Sequence, residues 1–254
     1  MLAAERRRLI TEHIRASGQV VVSSLSAEFQ VSEETIRRDL EQLEKEGIAT
    51  RIYGGAVLSG NNRIAPPYSI RKNTNIEPKI AIARVLAELV HDGDTLMVDE
   101  SSTAAYAVRA LRHRKNITLI TNSLELLREM TGQDTWHIIS TGGSLRPDIL
   151  AHVGPHALRT VRSYHAGFAI LSCRGINEQL GLADSDDAVV QIKQAMVASC
   201  DCAILLADHR KFDRTGLVAL GSLGLVDKLI TDVPPSAQWQ QRLADSGVEL
   251  VCGT

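Results

Sequence analysis

Aromatic residues are scarce in this chain of 254 residues, at 4%, and cysteines number only four. Yet 44% of the residues are hydrophobic, so the core must be largely aliphatic, as in ordinary globular domains. No apolar run reaches the ~18 residues of a membrane helix, which argues against a helical span. Behind Glu5 and Arg6-Arg7-Arg8 there is no apolar stretch of the kind a secretory signal needs. A cytoplasmic protein that does not engage a membrane is therefore expected. The cysteines are too few and too dispersed for a disulfide framework. Cys200-Asp201-Cys202 is C-x-C, not C-x-x-C, and lacks the second half of a zinc site. Buried reduced thiols are the expectation. His152 and His156 stand four apart, but Gly154-Pro155 breaks any helix between them. No metal and no cofactor is expected. Internal repeats and low-complexity tracts are also missing.

Charge of one sign is lacking too. The formal net charge is -2, which is not that of a strongly basic nucleic-acid binder. Even the first fifty residues are slightly acidic. A DNA surface would have to come from placement, with Arg6, Arg7, Arg8, Arg37, Arg38 and Arg51 on one face and nearby glutamates turned away. Weak non-specific binding, sensitive to salt and to dimerisation, would follow.

The segment Val31-Ser32-Glu33-Glu34-Thr35-Ile36-Arg37-Arg38-Asp39-Leu40 is the most informative part of the chain. Ser32 suits an N-cap, and Glu33 and Glu34 suit the positive end of a helix dipole. Ile36, Leu40 and Leu43 share one helical face. Gly47 suits the helix end, where φ > 0 is usually required. Burial of the apolar stripe leaves Thr35, Arg37 and Arg38 near the exposed N-terminal half. Upstream, Leu9, Ile10 and Ile14 mark a first helix over Ala4 to Ser17, and Ser24 to Gln30 makes a second. Arg51-Ile52-Tyr53-Gly54-Gly55-Ala56 follows as a hairpin. Three helices, a tight turn before the third and a Gly-Gly hairpin compose a winged helix-turn-helix. The plainer reading of the third helix alone is an amphipathic surface helix with two arginines.

Residues 59–78 contain Ser59-Gly60-Asn61-Asn62 and Pro66-Pro67, and read as a linker. The expected division is 1–58 for the DNA-binding domain, 59–78 for the linker and 79–254 for a second domain. From Lys79 onward short apolar strands alternate with helices. Strands are expected at 95–98, 117–120, 136–139, 167–171, 203–206, 228–230 and 248–251. Helices are expected at 80–90, 102–113, 124–131, 188–199 and 237–245. That alternation implies an α/β domain with a mostly parallel sheet covered on both faces.

Ligands of such sheets bind at the carboxyl ends of the strands. Asp99-Glu100-Ser101-Ser102-Thr103 turns from a strand into a helix, where N–H groups and hydroxyls suit a phosphate. Simple capping by Ser101 or Ser102 is the plainer reading, and the two coexist. Thr121-Asn122-Ser123 is open to the same pair of readings. Gly142 and Gly143 allow backbone to approach a ligand closely. Lys211 offers a cation or a solvated loop lysine, and Lys193 a ligand contact or a solvent-facing side chain.

The motifs of both halves resemble the DeoR-type bacterial transcriptional regulators, in the right order along nearly the whole chain. The resemblance implies a DNA-facing set of Ser32, Glu34, Thr35, Arg37, Arg38, Arg51, Tyr53, Gly54 and Gly55. It implies a C-terminal sensor domain similar to ribose-5-phosphate isomerase. The family's phosphate loop falls on Asp99, Ser101, Ser102 and Thr103, its Thr-Asn turn on Thr121 and Asn122, and its Gly-Gly loop on Gly142 and Gly143. Its Asp-x-x-Lys-Phe segment falls on Asp208 to Phe212. Ser101 stands where the family has glycine, and Arg174 where a smaller or acidic residue is usual. Arg174 either reads a second anionic group or pairs with Asp184, Asp186 or Asp187. The implied function is a repressor, without catalytic residues, that binds double-stranded operator DNA as a homodimer or tetramer. A phosphorylated sugar would control it. Two alternatives are a sugar-phosphate isomerase with an accessory DNA domain and a DNA-binding module with a purely structural partner domain.

Overall fold

The computed structural model describes residues 1–17, 19–46, 48–52, 54–58 and 66–253. Gly47, Tyr53 and the Ser59-Gly60-Asn61-Asn62 stretch, all singled out above, lie outside the described residues. The chain divides into two compact units, Met1–Thr74 and Asn75–Thr254.

In the first unit, α1 (Ala3–Ser17), β1 (Gln19–Val21), α2 (Val22–Phe29) and α3 (Glu33–Lys45) precede a hairpin of β2 (Ala49–Ile52) and β3 (Gly55–Leu58). The strands form an antiparallel sheet of order β1-β3-β2. Ile10, Ile14, Leu25, Ile36, Leu40 and Leu43 meet in its core, each at most 3% exposed. The i, i+4, i+7 face of α3 is thus buried as its pattern predicts. Strand β1 was not foreseen, and it explains one wing glycine. A Cβ at Gly55 would lie 2.0 Å from the Val20 carbonyl oxygen, so only glycine allows β3 to pair there. The stretch 59–78 is not all linker. Its described part holds α4 (Tyr68–Lys72) and the first turn of α5 (Ile76–Leu89).

The second unit continues with β4 (Thr95–Val98), α6 (Ser102–Ala110), β5 (Thr118–Thr121), α7 (Leu124–Glu129) and β6 (His137–Ser140). A hairpin of β7 (Ser144–Arg146) and β8 (Ala151–Val153) leads to α8 (Pro155–Arg162) and β9 (Ala166–Leu171). Then come β10 (Gly175–Asn177), β11 (Gly181–Asp184), α9 (Asp187–Val197), β12 (Cys200–Leu206) and β13 (Val218–Gly221). β14 (Lys228–Thr231), α10 (Ala237–Asp245) and β15 (Glu249–Cys252) complete it. Among the described residues the main sheet has seven strands, ordered β15-β14-β12-β9-β4-β5-β6, all parallel. The apolar runs of the five inner strands are buried on both faces, in two largely aliphatic clusters. The chain runs outward from β4 through β5 to β6, then returns to build β9, β12, β14 and β15 on the other side. The strand order therefore reverses between β4 and β9. The smaller sheet β10-β11-β13 and the β7-β8 hairpin were not anticipated. The break at Gly154-Pro155 is real, and α8 starts at that proline, whose missing N–H is harmless in a first turn.

The first unit also carries a buried ion pair. Arg6 Nε donates to Asp39 Oδ2 at 2.5 Å, tying α1 to α3, and both residues are under 10% exposed. Removing one partner of such a pair leaves a desolvated charge and costs about 3–5 kcal/mol. Asp39→Ala is expected to unfold the first unit near room temperature while the second keeps its cooperative melt. Two unchanged calorimetric transitions would contradict that.

Candidate functional site

The first candidate surface is the exposed side of α3 with its hairpin. Ser32 caps the helix, its Oγ accepting from Thr35 N at 3.3 Å and lying 2.9 Å from Thr35 Oγ1. Arg37 and Arg38 are exposed on the first two turns. Gly54 sits in the hairpin turn with φ of +80°. The arrangement departs from the expected charge pattern in one respect. The glutamates are not turned away from the arginines. Arg37 pairs with Glu33, Arg38 Nε lies 3.4 Å from Glu34 Oε1, and Arg51 Nε donates to Glu44 Oε2 at 2.8 Å. Glu34, expected among the DNA-facing residues, is thus a partner of Arg38. Arg8 pairs with Glu12 at 2.6 Å, and Arg6 and Arg7 both face Asp39. Arg6 is buried and leaves the basic face altogether. The signal for the helical pairs was present as Glu-x-x-x-Arg at 33–37 and 34–38, which helix geometry brings together. Such exposed pairs stabilise by only about 0.2–0.5 kcal/mol, so breaking them costs little.

The second candidate lies at the carboxyl edge of the parallel sheet, at the reversal between β4 and β9. Ligands of doubly wound sheets settle at that point, because the diverging connections leave a crevice. Asp99 follows β4 and Ser172 follows β9. Asp99 Oδ2 accepts from Ser172 N at 2.8 Å, and Oδ1 from Ser101 N at 2.9 Å. Lys193, from α9, reaches this edge. Its Nζ lies 2.6 Å from Asp184 Oδ2, 3.2 Å from Asp99 Oδ2 and 3.7 Å from Glu100 Oε1, and it donates to Ser172 O at 2.7 Å. Lys193 is 2% exposed, so the solvent-facing reading of it is wrong. Burial alone would lower its pKa, but Asp184, Asp99 and Glu100 outweigh that and hold it well above the ordinary value. Burial likewise pushes Asp184 upward, and Lys193 brings it below the ordinary carboxylate range.

Lys211, following β12, donates to Ser172 Oγ at 2.7 Å and Cys173 O at 2.6 Å. It is held against the cluster and is not a free loop lysine. Ser101 Oγ caps α6 by accepting from Ala104 N at 3.0 Å. Ser102 and Thr103 occupy the first turn, whose N–H groups have no acceptor one turn back. Thr121 spends its hydroxyl on Val98 O at 2.7 Å and accepts from Ser123 N, so its side chain serves the fold. Asn122 is fully buried and donates to Glu100 Oε2 at 3.2 Å. Gly142 and Gly143 follow β6, with φ of +60° and +109°. Arg174 is half-buried, and its N donates to Ala183 O at 2.9 Å. Of the nearby carboxylates, Asp184 pairs with Lys193, Asp186 with Arg146 at 2.9 Å, and Asp187 accepts from Gln191. The neighbours β12, β9, β4, β5 and β6 thus bring nearly all the sequence-chosen residues to one edge. Ser172 was missed, and its signal was only its place at the end of an apolar strand.

Of the thiols, Cys173 is buried, and burial pushes its pKa up to about 11, which keeps it protonated. Cys200, Cys202 and Cys252 are half-buried and free, so full burial was expected of more of them than have it.

The Asp184–Lys193 pair makes stability depend on pH. A carboxyl held low in the folded state adds stability above its ordinary value of 3.8, and that stability is lost as pH falls through the folded value. The raised Lys193 contributes below 10.5 and loses its share only as pH rises through its higher folded value. Asp184→Asn is expected to cost about 3 kcal/mol at neutral pH and to flatten the acid limb of a melting-temperature profile. An acid limb identical to that of the parent chain would contradict this.

The comparisons with known proteins follow the same division of the chain. The family model described as the DeoR-like helix-turn-helix domain matches residues 6–61, and that of the DeoR C terminal sensor domain matches residues 74–233. The HTH-type transcriptional regulator YulB of Bacillus subtilis is 39% identical over 91% of this chain and 90% of its own length. The glycerol-3-phosphate regulon repressor of Escherichia coli is 32% identical over 98% and 99%. Ribose 5-phosphate isomerase A from Methanocaldococcus jannaschii is 17% identical, with a TM-score of 0.41 over 55% of each chain. The two family domains and the full-length relatives agree with the two units seen here: the chain belongs to the DeoR family of transcriptional regulators.

Proposed function

We propose that this regulator is a repressor whose hold on operator DNA is set by a phosphorylated sugar or sugar derivative at the β4–β9 crevice. The observation that carries the reading is the convergence of the α6 N-terminus and Lys211 at the topological switch point of the sheet, beside the Lys193 cluster. The N–H groups at Ser102 and Thr103 and the Ser102 hydroxyl suit phosphate oxygens, and Lys211 adds a cation. The relative named as a glycerol-3-phosphate regulon repressor fits the same chemical class.

On the DNA side, α3 enters the major groove and the hairpin lies along the backbone. Arg37 and Arg38 exchange their glutamate partners for phosphates or base edges. One winged unit is small for tight specific binding, so we propose a homodimer or tetramer that presents two or more. The effector shifts operator affinity only by preferring one arrangement of the units. A preference of ~100-fold corresponds to roughly 3 kcal/mol of coupling. Turnover is not part of the reading. Asp99, Glu100 and Asp184 all face the Lys193 ammonium, which leaves them poorly placed to take a proton from a substrate carbon.

Two variants separate the two ends of the molecule. Arg38→Ala is expected to lower specific DNA affinity at least tenfold in anisotropy titrations and to leave the thermal shift by sugar phosphates intact. Ser102→Ala is expected to do the reverse. Unchanged operator affinity in the first, or an unchanged phosphosugar shift in the second, would reject the assignment concerned.

A further inference from the structure

Beside the Lys193 cluster two buried polar atoms stand without a hydrogen-bond partner among the described residues: Asn122 Oδ1 and His152 Nδ1. Their residues are joined. His152 N donates to Asn122 O at 2.8 Å, and Asn122 Nδ2 donates to His152 O at 3.3 Å. The same Nδ2 donates to Glu100 Oε2 at 3.2 Å. Both amide hydrogens of Asn122 are therefore spent on acceptors. A flipped amide would set Oδ1 against two oxygens, so the orientation is fixed and Oδ1 is the atom left over.

A buried acceptor without a donor is destabilising, and one in a native fold calls for an explanation such as a bound group. His152 comes from β8, in a hairpin outside the main sheet that bridges to the end of β5 through Ser123 and Ala151. The hairpin thus brings His152 to the strand next to β4. Neighbouring strands lie about 4.8 Å apart, so a phosphate at the α6 N-terminus places the carbons of a short sugar within reach of the end of β5.

We propose that His152 and Asn122 read a hydroxyl of the effector, and so select a polyhydroxylated phosphate ester over one with an apolar body. A hydroxyl suits either atom: it donates to Asn122 Oδ1, or it donates to or accepts from His152 Nδ1 according to the ring tautomer. A pair built for a hydroxyl rejects the analogue that lacks it, because the polar atoms are then left unpaired. This inference rests on the sugar-phosphate reading above and assigns His152 a selective role there.

The test is calorimetric titration of the full chain with inorganic phosphate, propyl phosphate, glycerol 3-phosphate and ribose 5-phosphate. The parent chain is expected to bind at least one hydroxylated ester about tenfold or more tighter than propyl phosphate. His152→Ala is expected to bring that ratio close to one and to leave inorganic phosphate binding unchanged. His152→Asn, whose amide reaches the position of Nδ1, is expected to restore part of the preference and guards against a merely misfolded Ala variant. A preference kept in His152→Ala, or absent in the parent chain, would overturn this proposal and leave the phosphate site standing. No binding of any phosphate to the parent chain would overturn the sugar-phosphate reading, and this inference with it.

Discussion

The buried ammonium of Lys193 is the interaction on which the second unit depends. It lies at the one place where the strand order of the sheet reverses, and its partners come from three parts of the chain. Asp99 and Glu100 follow β4, Ser172 follows β9, and Asp184 ends β11. An isolated charge cannot remain buried in an aliphatic domain. Here three carboxylates share the one ammonium, and the Asp99 carboxylate is further held by the N–H groups of Ser101 and Ser172. The cluster fixes the ends of β4 and β9, and with them the start of α6 and the backbone that holds Lys211. In the proposed reading, the ligand site at this edge is pre-formed by charges that serve the fold first.

The first unit uses the same physics with opposite emphasis. Arg6 and Asp39 form the buried pair that sets α1 against α3. Arg37 and Arg38 are held by exposed partners one helical turn away, and Arg51 by Glu44 of α3. The buried pair is strong because removing either half strands a charge. The surface pairs are weak because water already solvates both halves. That contrast keeps the recognition helix rigidly mounted while its outer charges stay exchangeable. It also explains how a chain with net charge -2 can present a DNA-facing surface.

Most of the main sheet was legible because its strands are short aliphatic runs between helices, and because the N-caps Ser32, Ser101 and Ser123 announce their helices. The winged unit was legible from the apolar face of α3. What escaped is long-range or locally unremarkable. Strand β7 reads Ser-Leu-Arg and is mostly exposed, so no alternation marks it. Asp99 and Lys193 meet across ninety-four positions of sequence, and nothing local distinguishes Lys193 from a surface lysine. Arg6 looked like one of three equivalent basic residues until Asp39 was placed against it. His152 was weighed only as a metal ligand, a role that Gly154-Pro155 argued against. Its place beside Asn122 depends on a hairpin that left no pattern in the sequence.

The most direct test of the account is fluorescence anisotropy on DNA from upstream of the gene itself, at fixed salt, with and without the sugar phosphates that raise the melting temperature of the second unit. The account predicts specific binding whose affinity one such phosphosugar changes at least tenfold, with the unphosphorylated sugar inert. Specific binding that no stabilising phosphosugar alters would contradict it, because the strand-end site would then bind a ligand without controlling the DNA-binding unit.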